Sequence, residues 1–342
     1  MDSILPVVVI GAGPAGLAIS ALLVTKNVSH MVIDKEPIAG GLYANLHAEL
    51  PLLSPPLFSS LPLLKYQPAD NKNTVGNYHQ YLNTYIKVNS PPLRLNEAII
   101  KVTNEEGVYY ITTAKGELIK CQKVVIATGM SSFPKIFKFK PPEGIEVQYA
   151  KQWKGIEYYR EKNILVVGSG TSAFEISSLL AGQTNVWLAT NDPVKVVPVT
   201  LAGINIHYFL RPLELLPISL LSNLCKGRSR ERALNQSIKK YIHQGLITLL
   251  NTNLSFENDK LLYDGSKQKI DIIVNCTGYQ YDTQILPDDL DRYDNGNIKT
   301  HNCQSISHSG LFFIGHPCSG GIDSNYLRGI YRDAYRLIKQ LG

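Results

Sequence analysis

Hydrophobic positions open the chain as an unbroken β-branched run, Val7-Val8-Val9-Ile10, followed at once by Gly11-Ala12-Gly13-Pro14-Ala15-Gly16-Leu17. Such a run predicts a strand buried on both faces of a parallel sheet. The spacing Gly-x-Gly-x-x-Gly then predicts a tight turn into a helix over about 17–23. The next strand, 29–33, ends at Asp34. The pattern returns at 163–180. Ile164-Leu165-Val166-Val167 runs into Gly168-Ser169-Gly170-Thr171-Ser172-Ala173, and 185–189 follows as a strand ending at Thr190-Asn191-Asp192. This internal repeat predicts two strand–helix–strand units, each opened by its own glycine loop.

Between the repeats, the Pro-, Leu- and Ser-rich stretch 50–68 suits neither a regular helix nor a central strand. Residues 75–87 predict a helix with Tyr78, Tyr81, Leu82 and Tyr85 on one side. Strands are expected at 98–103, 108–113, 117–121 and 123–128, with turns at Glu106-Gly107 and Lys115-Gly116. A Pro- and Lys-rich hinge follows at 133–143. The insertion 194–244 carries an apolar segment, 204–221, whose prolines argue against a long amphipathic helix. It is read as a lid over a substrate channel. Strands at 246–250, 254–258, 260–263, 270–276 and 311–314 and a helix at 324–340 complete the chain. The expected domains are 1–150, then 151–280 with the insertion, with 281–342 returning to the first.

The chemistry of the repeats follows from phosphate geometry. Gly11 permits the turn, Gly13 lets backbone approach a pyrophosphate, and Gly16 lets the helix pack on the strand. The helix start offers N–H groups to an anion. Asp34 stands where a ribose hydroxyl ligand is expected. In the second unit Thr190 and Asn191 are neutral, which leaves NAD and NADP both open. The formal net charge of +6 is scattered apart from 226–232, so nucleic acid is not implied. Five cysteines include no Cys-x-x-Cys, so neither a metal site nor a redox dithiol is expected. Cys318 is read as a filler of its glycine-rich loop. With no leader or membrane-spanning stretch, a cytoplasmic protein is expected, and membrane attachment is disfavoured.

In combination these residues resemble the flavin-dependent monooxygenases with two dinucleotide-binding domains, which include flavin-containing monooxygenases, N-hydroxylating enzymes and plant auxin-synthesis enzymes. Gly11–Leu17 is similar to their FAD fingerprint. Asp34-Lys35 with Gly40-Gly41-Leu42-Tyr43 is similar to their Glu-Lys and Gly-Gly-Leu-Trp. Val166–Glu175 is similar to their NADPH fingerprint, and Asn275–Tyr279 to their Ala-Thr-Gly-Tyr. Two departures stand out: Tyr149 replaces the linker histidine, and Asn191 replaces an arginine.

The resemblance implies an α/β fold of two Rossmann-like dinucleotide-binding domains, for FAD and NAD(P)H, the FAD domain being discontinuous. It implies hydride transfer from NADPH (or NADH) to FAD, then delivery of one oxygen atom of O2 to a small organic substrate through a flavin hydroperoxide. The residues expected at FAD are Gly11, Gly13, Pro14, Ala15, Gly16, Asp34, Lys35, Gly41, Leu42, Tyr43, Ser54, Thr128, Gly129, Gly315 and His316. Those expected at the nicotinamide coenzyme are Gly168, Ser169, Gly170, Thr171, Ser172, Ala173, Thr190 and Asn191, and Gly278 is expected at a cofactor. No catalytic side chain is named, because the cofactor carries the chemistry. A homodimer is compatible with this reading. The alternatives are a thioredoxin-reductase-like reductase without redox cysteines, serving a quinone or ferredoxin, and a nucleotide-binding flavoprotein without turnover.

Overall fold

The computed structural model describes residues 4–130, 133–137, 139–191, 193–214, 233–280 and 282–342. Among these, one compact unit takes in the residues up to 130, 207–214 and those from 282 on. The other takes in 133–206 and 233–280.

The first unit is built on Leu5–Ile10, whose last four residues are buried. This strand lies parallel between His30–Ile33 and Leu118–Ile126. On the far side of Leu118–Ile126 lies Leu311–Phe313, also parallel. The expected strands 117–121 and 123–128 are therefore one strand, Leu118–Ile126. Its first half pairs antiparallel with Val108–Thr113 and its second half parallel with Leu5–Ile10. Two different partners leave a patterning break that reads locally as two strands. The helix Pro14–Thr25 extends past the expected 17–23, with Pro14 at its start, where a missing N–H costs nothing. The C-terminal helix Leu327–Leu341 packs against it.

The helix Val75–Asn89 begins at Thr74, whose hydroxyl accepts from Asn77 N at 3.3 Å as an N-cap. It buries Tyr78, Tyr81, Leu82 and Tyr85, the expected side. The Tyr81 hydroxyl accepts from Leu61 N (2.7 Å) and donates to Leu64 O (2.8 Å), pinning the irregular 61–64 segment to the helix. The hydroxyls of Tyr66, Tyr78 and Tyr85 are buried without a hydrogen-bond partner. A buried orphan hydroxyl costs about 1–3 kcal/mol relative to a partnered one.

The second unit repeats the plan. Asn163–Val167 lies parallel between Asn185–Ala189 and Ile272–Asn275, with Thr248–Leu250 and Glu146–Tyr149 at the edges. Because Glu146–Tyr149 belongs to this sheet, the change of unit falls before residue 133 and not after 150. The expected strand 270–276 is shorter, Ile272–Asn275, and is preceded by Ser266–Lys269, a hairpin partner of Lys260–Tyr263. Asp264 (φ +47°) and Gly265 (φ +70°) make the tight turn between those two strands.

In the insertion the helix Ile206–Glu214 runs through Arg211 and Pro212, where the sequence predicted a break. Pro212 falls in its C-terminal half and ring–backbone clash is confined to one turn. Residues 207–214 fall in the first unit, although the insertion was expected in the second. The segments 215–221 and 226–232 lie outside the described residues. No described helix is long and apolar enough to cross a membrane.

Candidate functional site: two glycine loops

The first loop is closed by its own backbone. Gly11 has φ +110°, and a Cβ there would stand 2.5 Å from Ala127 O. A Cβ on Gly16 would stand 1.8 Å from Gly11 O. Both glycines are demanded by the chain itself. Gly13 is not: its φ is −77°, and an added Cβ would meet only Gly41 Cα, at 3.7 Å. Packing within the chain leaves the absence of a side chain at Gly13 unexplained.

Several expected residues gather here. Asp34 ends the strand His30–Ile33, and its carboxylate accepts from Ala12 N (2.6 Å) and Glu36 N (2.9 Å). It thus ties the second strand end to the glycine loop, and one carboxylate still has lone pairs for a further donor. Gly41, at φ +59°, stands against Gly13, since a Cβ on it would lie 2.9 Å from Gly13 Cα. Leu42 and Tyr43 open the short helix Leu42–Asn45 that follows. Burial pushes the Tyr43 phenol up to about 12. Thr128 and Gly129 follow Ala127, whose N–H donates to Ile10 O at 2.8 Å. Gly315 (φ +75°) faces the start of the first helix, its Cβ position being 3.1 Å from Ala15 Cβ. His316 beside it is buried, and burial lowers its imidazole to about 4, so it is neutral at pH 7. Lys35 is exposed.

The 315–324 loop is held from below. Ser324 Oγ accepts from Gly320 N (2.9 Å) and Gly321 N (2.7 Å). Buried Asp323 is paired with Arg332 (2.6 Å) and Arg211 (3.2 Å). Arg211 lies on the helix Ile206–Glu214, which reaches the 50–60 segment as well. There His207 Nε2 hydrogen-bonds Ser54 Oγ at 3.2 Å, and Tyr208 meets the Phe58 ring edge-on at 4.9 Å. Burial, then the positive charge of Arg328, lowers His207 to about 4. Ser54 was expected at the cofactor; its described hydroxyl contact is with His207. The roles of His207, Arg211 and Asp323 were missed. The signal for His207 and Arg211 was an apolar segment interrupted by charge, and Asp323 lies outside that segment, in the glycine-rich loop.

The second loop repeats the first. A Cβ on Gly168 (φ +152°) would lie 2.2 Å from Cys276 O. Gly170 (φ −104°) has nothing within 4 Å of its Cβ position. Ala173, the counterpart of Gly16, is fully buried. Thr171 and Ser172 start the helix Thr171–Leu180, whose first N–H groups have no partner within the helix. Ser169 Oγ and Thr190 Oγ1 are 2.5 Å apart, and Asn191 accepts from the Thr252 hydroxyl. Gly278 (φ +98°) accepts from Lys135 N at 2.9 Å, two residues beyond Cys276. Glu175, on the same helix, was not singled out. Burial pushes its carboxyl up to about 7. Tyr149 caps the short turn Ala150–Gln152 with its backbone N–H donating to Gln152 Oε1 at 2.8 Å.

Among the described residues, no group of His, Cys, Asp and Glu is placed to hold a metal. Cys121, Cys276 and Cys303 are buried free thiols, and burial raises all three. Cys318, expected as a loop filler, is disulfide-bonded.

Two parallel α/β units, each with a glycine loop at the strand ends, define a chain of two Rossmann-like modules. The chain belongs to the family described as pyridine nucleotide-disulphide oxidoreductase, whose model matches residues 8–196. It is 28% identical over 350 residues to an uncharacterized CzcO-like oxidoreductase of Geobacillus kaustophilus, covering 100% of this chain and 99% of the relative. It is 24% identical to a probable indole-3-pyruvate monooxygenase, YUCCA1, of Arabidopsis thaliana, covering 98% and 89%. Its fold is similar to that of a flavin-containing monooxygenase from Stenotrophomonas maltophilia, with TM-score 0.79 and 18% identity, covering 100% and 98%.

Proposed function

We propose that this chain is an FAD- and NAD(P)H-dependent oxidoreductase that transfers one oxygen atom of O2 to a small organic substrate. The carrying observation is the pair Gly13 and Gly170. Each sits at a helix start, each lacks a positive φ, and at each the chain itself would tolerate a side chain. Two diphosphate groups, one per unit, account for both. The names of the relatives, a plant monooxygenase and a bacterial flavin-containing monooxygenase, support the oxygen-transferring class.

In this reading the first loop, with Gly11–Gly16, Asp34, Gly41–Tyr43, Thr128, Gly129, Gly315 and His316, holds FAD. The second, with Gly168–Ala173, Thr190 and Asn191, holds NAD(P)H. FAD, when bound, supplies hydride acceptance and reaction with O2. The chain's own residues do the rest. The helix start at Pro14 and the N–H groups after it neutralise phosphate charge. Asp34 keeps the loop in register through Ala12 and accepts from a ribose hydroxyl. His316, neutral and buried, offers a hydrogen bond without bringing a charge to the site. The 50–60 segment, latched to the helix Ile206–Glu214 by Ser54–His207, would cover bound FAD in the first unit and select the substrate. Asn191 and Thr252 present neutral amide and hydroxyl groups beyond the second loop, compatible with either coenzyme.

The test is anaerobic reduction of the FAD-loaded protein by NADPH and, separately, NADH, followed by oxygen and a panel of small nucleophilic and carbonyl substrates. Oxygen uptake matched mole for mole by oxygenated product is the expected result. Reduction followed only by peroxide release, or by electron delivery to a quinone or ferredoxin, would replace it with the reductase reading.

A further inference from the structure

The two units share more than a sequence pattern, because their hydrogen bonds match residue by residue. In the first unit Gly11 N donates to Ile33 O (2.7 Å) and Asp34 N to Arg94 O (3.0 Å). In the second, Gly168 N donates to Ala189 O (2.9 Å) and Thr190 N to Leu250 O (3.0 Å). The side chains repeat the match. The Asp34 carboxylate accepts from Ala12 N at 2.6 Å. Thr190 Oγ1 lies 2.5 Å from the hydroxyl of Ser169, which follows Gly168 as Ala12 follows Gly11. Thr190 therefore holds the place of Asp34, and Asn191 the place of Lys35.

This alignment changes what the second strand end can recognise. A carboxylate at the Asp34 place accepts from a ribose 2′-hydroxyl and repels a 2′-phosphate. Thr190 brings no charge to that place. Residues 189–191 and 250–253, which end the two neighbouring strands, carry no charged side chain at all. Their amides are nevertheless oriented. Asn191 Oδ1 accepts from the Thr252 hydroxyl, and Asn251 Oδ1 accepts from Asn253 N at 2.9 Å. Both amide oxygens are engaged from within the chain. Both asparagines are exposed, and among the described residues neither amide nitrogen meets an acceptor. An amide has two N–H donors on that nitrogen.

From this inventory we infer that Asn191 is the residue that discriminates between the two nicotinamide coenzymes, reading the 2′-phosphate of NADPH through a neutral N–H donor, and that Thr252 is its positioning residue. Thr252 lies 61 residues away in sequence, beyond the end of the adjacent strand Thr248–Leu250. By holding Asn191 Oδ1 it fixes which end of the amide meets the coenzyme. The inference rests on the placement of NAD(P)H in the second unit.

The chemistry of the two ligands makes the orientation matter. A ribose 2′-hydroxyl both donates and accepts, so it is served by either end of an amide. A 2′-phosphate is a dianion above about pH 6 and has only acceptors. It needs the nitrogen end. An N–H donated to a phosphate is charge-assisted and stronger than one donated to a hydroxyl. Both coenzymes therefore fit, and the phosphate-bearing one binds more tightly. An amide released from Thr252 would turn and offer its oxygen as readily as its nitrogen. The phosphate would lose its donor, while the hydroxyl would lose nothing.

The experiment is isothermal titration calorimetry of the oxidised coenzymes, NADP+ and NAD+, into the FAD-loaded full chain, where no turnover intervenes. NADP+ should bind about 5- to 10-fold more tightly, the difference between a charge-assisted and a neutral hydrogen bond. Thr252→Val keeps the side-chain shape but removes the hydroxyl. The ratio of affinities should then fall to about twofold or less, through weaker NADP+ binding alone. Thr252→Ser keeps the hydroxyl and should restore the ratio. Asn191→Asp should reverse it, since a carboxylate repels the phosphate and accepts from the 2′-hydroxyl. A merely structural Thr252 would lower both affinities together, and a ratio unchanged in Thr252→Val overturns its positioning role. Equal binding of NADP+ and NAD+ by the natural protein, or an unreversed ratio in Asn191→Asp, overturns the role of Asn191 while leaving the coenzyme site standing. Binding of neither coenzyme overturns both.

Discussion

Gly13 and Gly16 lie three residues apart in one loop, yet alanine at each should act on a different property. At Gly16 the new Cβ would fall 1.8 Å from Gly11 O, a backbone atom that cannot rotate away. Relief requires moving the helix Pro14–Thr25 off the strand Leu5–Ile10, which places the loss at or above the usual overpacking range, about 3 kcal/mol. For a unit of this size that lowers the melting temperature by roughly 6–12 °C. At Gly13 the Cβ finds 3.7 Å of room and a φ of −77° that any residue adopts. Alanine is a poorer N-cap than glycine by roughly 0.5 kcal/mol. It recovers a similar amount by restricting the unfolded chain, about 0.4–1 kcal/mol. The melting temperature of the FAD-free protein should therefore stay within about 2 °C. FAD binding should not survive so well. Loss of one N–H···phosphate bond, worth about 1.5–3 kcal/mol for a charged acceptor, weakens affinity about 10- to 100-fold. Differential scanning calorimetry on FAD-free protein and fluorescence titration with FAD measure the two quantities separately. If Gly13→Ala bound FAD as tightly as the natural protein, or melted as early as Gly16→Ala, the phosphate assignment at Gly13 would be refuted.

Other outcomes follow from the same geometry. Gly170→Ala should leave the fold intact and raise the NAD(P)H dissociation constant about tenfold or more, read by coenzyme titration, with FAD content unchanged. Tyr78→Phe removes a buried orphan hydroxyl and should stabilise the chain by about 1 kcal/mol in urea unfolding. For Glu175 the folded carboxyl titrates near 7, above its ordinary 4.5. The folded state thus holds a proton that the unfolded chain has lost. Stability should be full below about 4.5 and fall by about 1–3 kcal/mol as pH rises through 7, a slope that Glu175→Gln should flatten. His207 runs the other way. Its imidazole is lowered to about 4 from 6.5. Stability should be present above 6.5 and fall by about 1–3 kcal/mol as pH drops towards 4, with His207→Gln removing the loss; unfolding midpoints across pH 4–8 check both.

Much of the fold was legible because its signals are local. A β-branched run, a glycine turn and a helix start occupy a dozen consecutive residues, and their backbone conformations are set by steric preference at each position. That made the strands Leu5–Ile10 and Asn163–Val167 and both glycine loops readable in advance. The helix Val75–Asn89 was readable for the same reason, since its tyrosines recur at helical spacing. Where one segment serves two partners, local patterning misled: Leu118–Ile126 looked like two strands because its halves pair in opposite senses. The helix through Pro212 was missed because packing of His207 and Arg211 against the first unit outweighs a local proline penalty. Hairpin strand Ser266–Lys269 was missed because its alternation is polar on both faces. The candidate site divides in the same way. Glycines declare themselves, since a missing Cβ is a property of one position. Ser54 and His207 stand 153 residues apart, and Arg211 and Asp323 stand 112 apart. Contacts at such separations depend on where whole elements dock, and no local pattern records that. The sequence alone determined where the backbone can turn tightly from a strand into a helix. Only the tertiary structure decided which of those glycines the chain needs for its own packing and which it leaves open to a ligand.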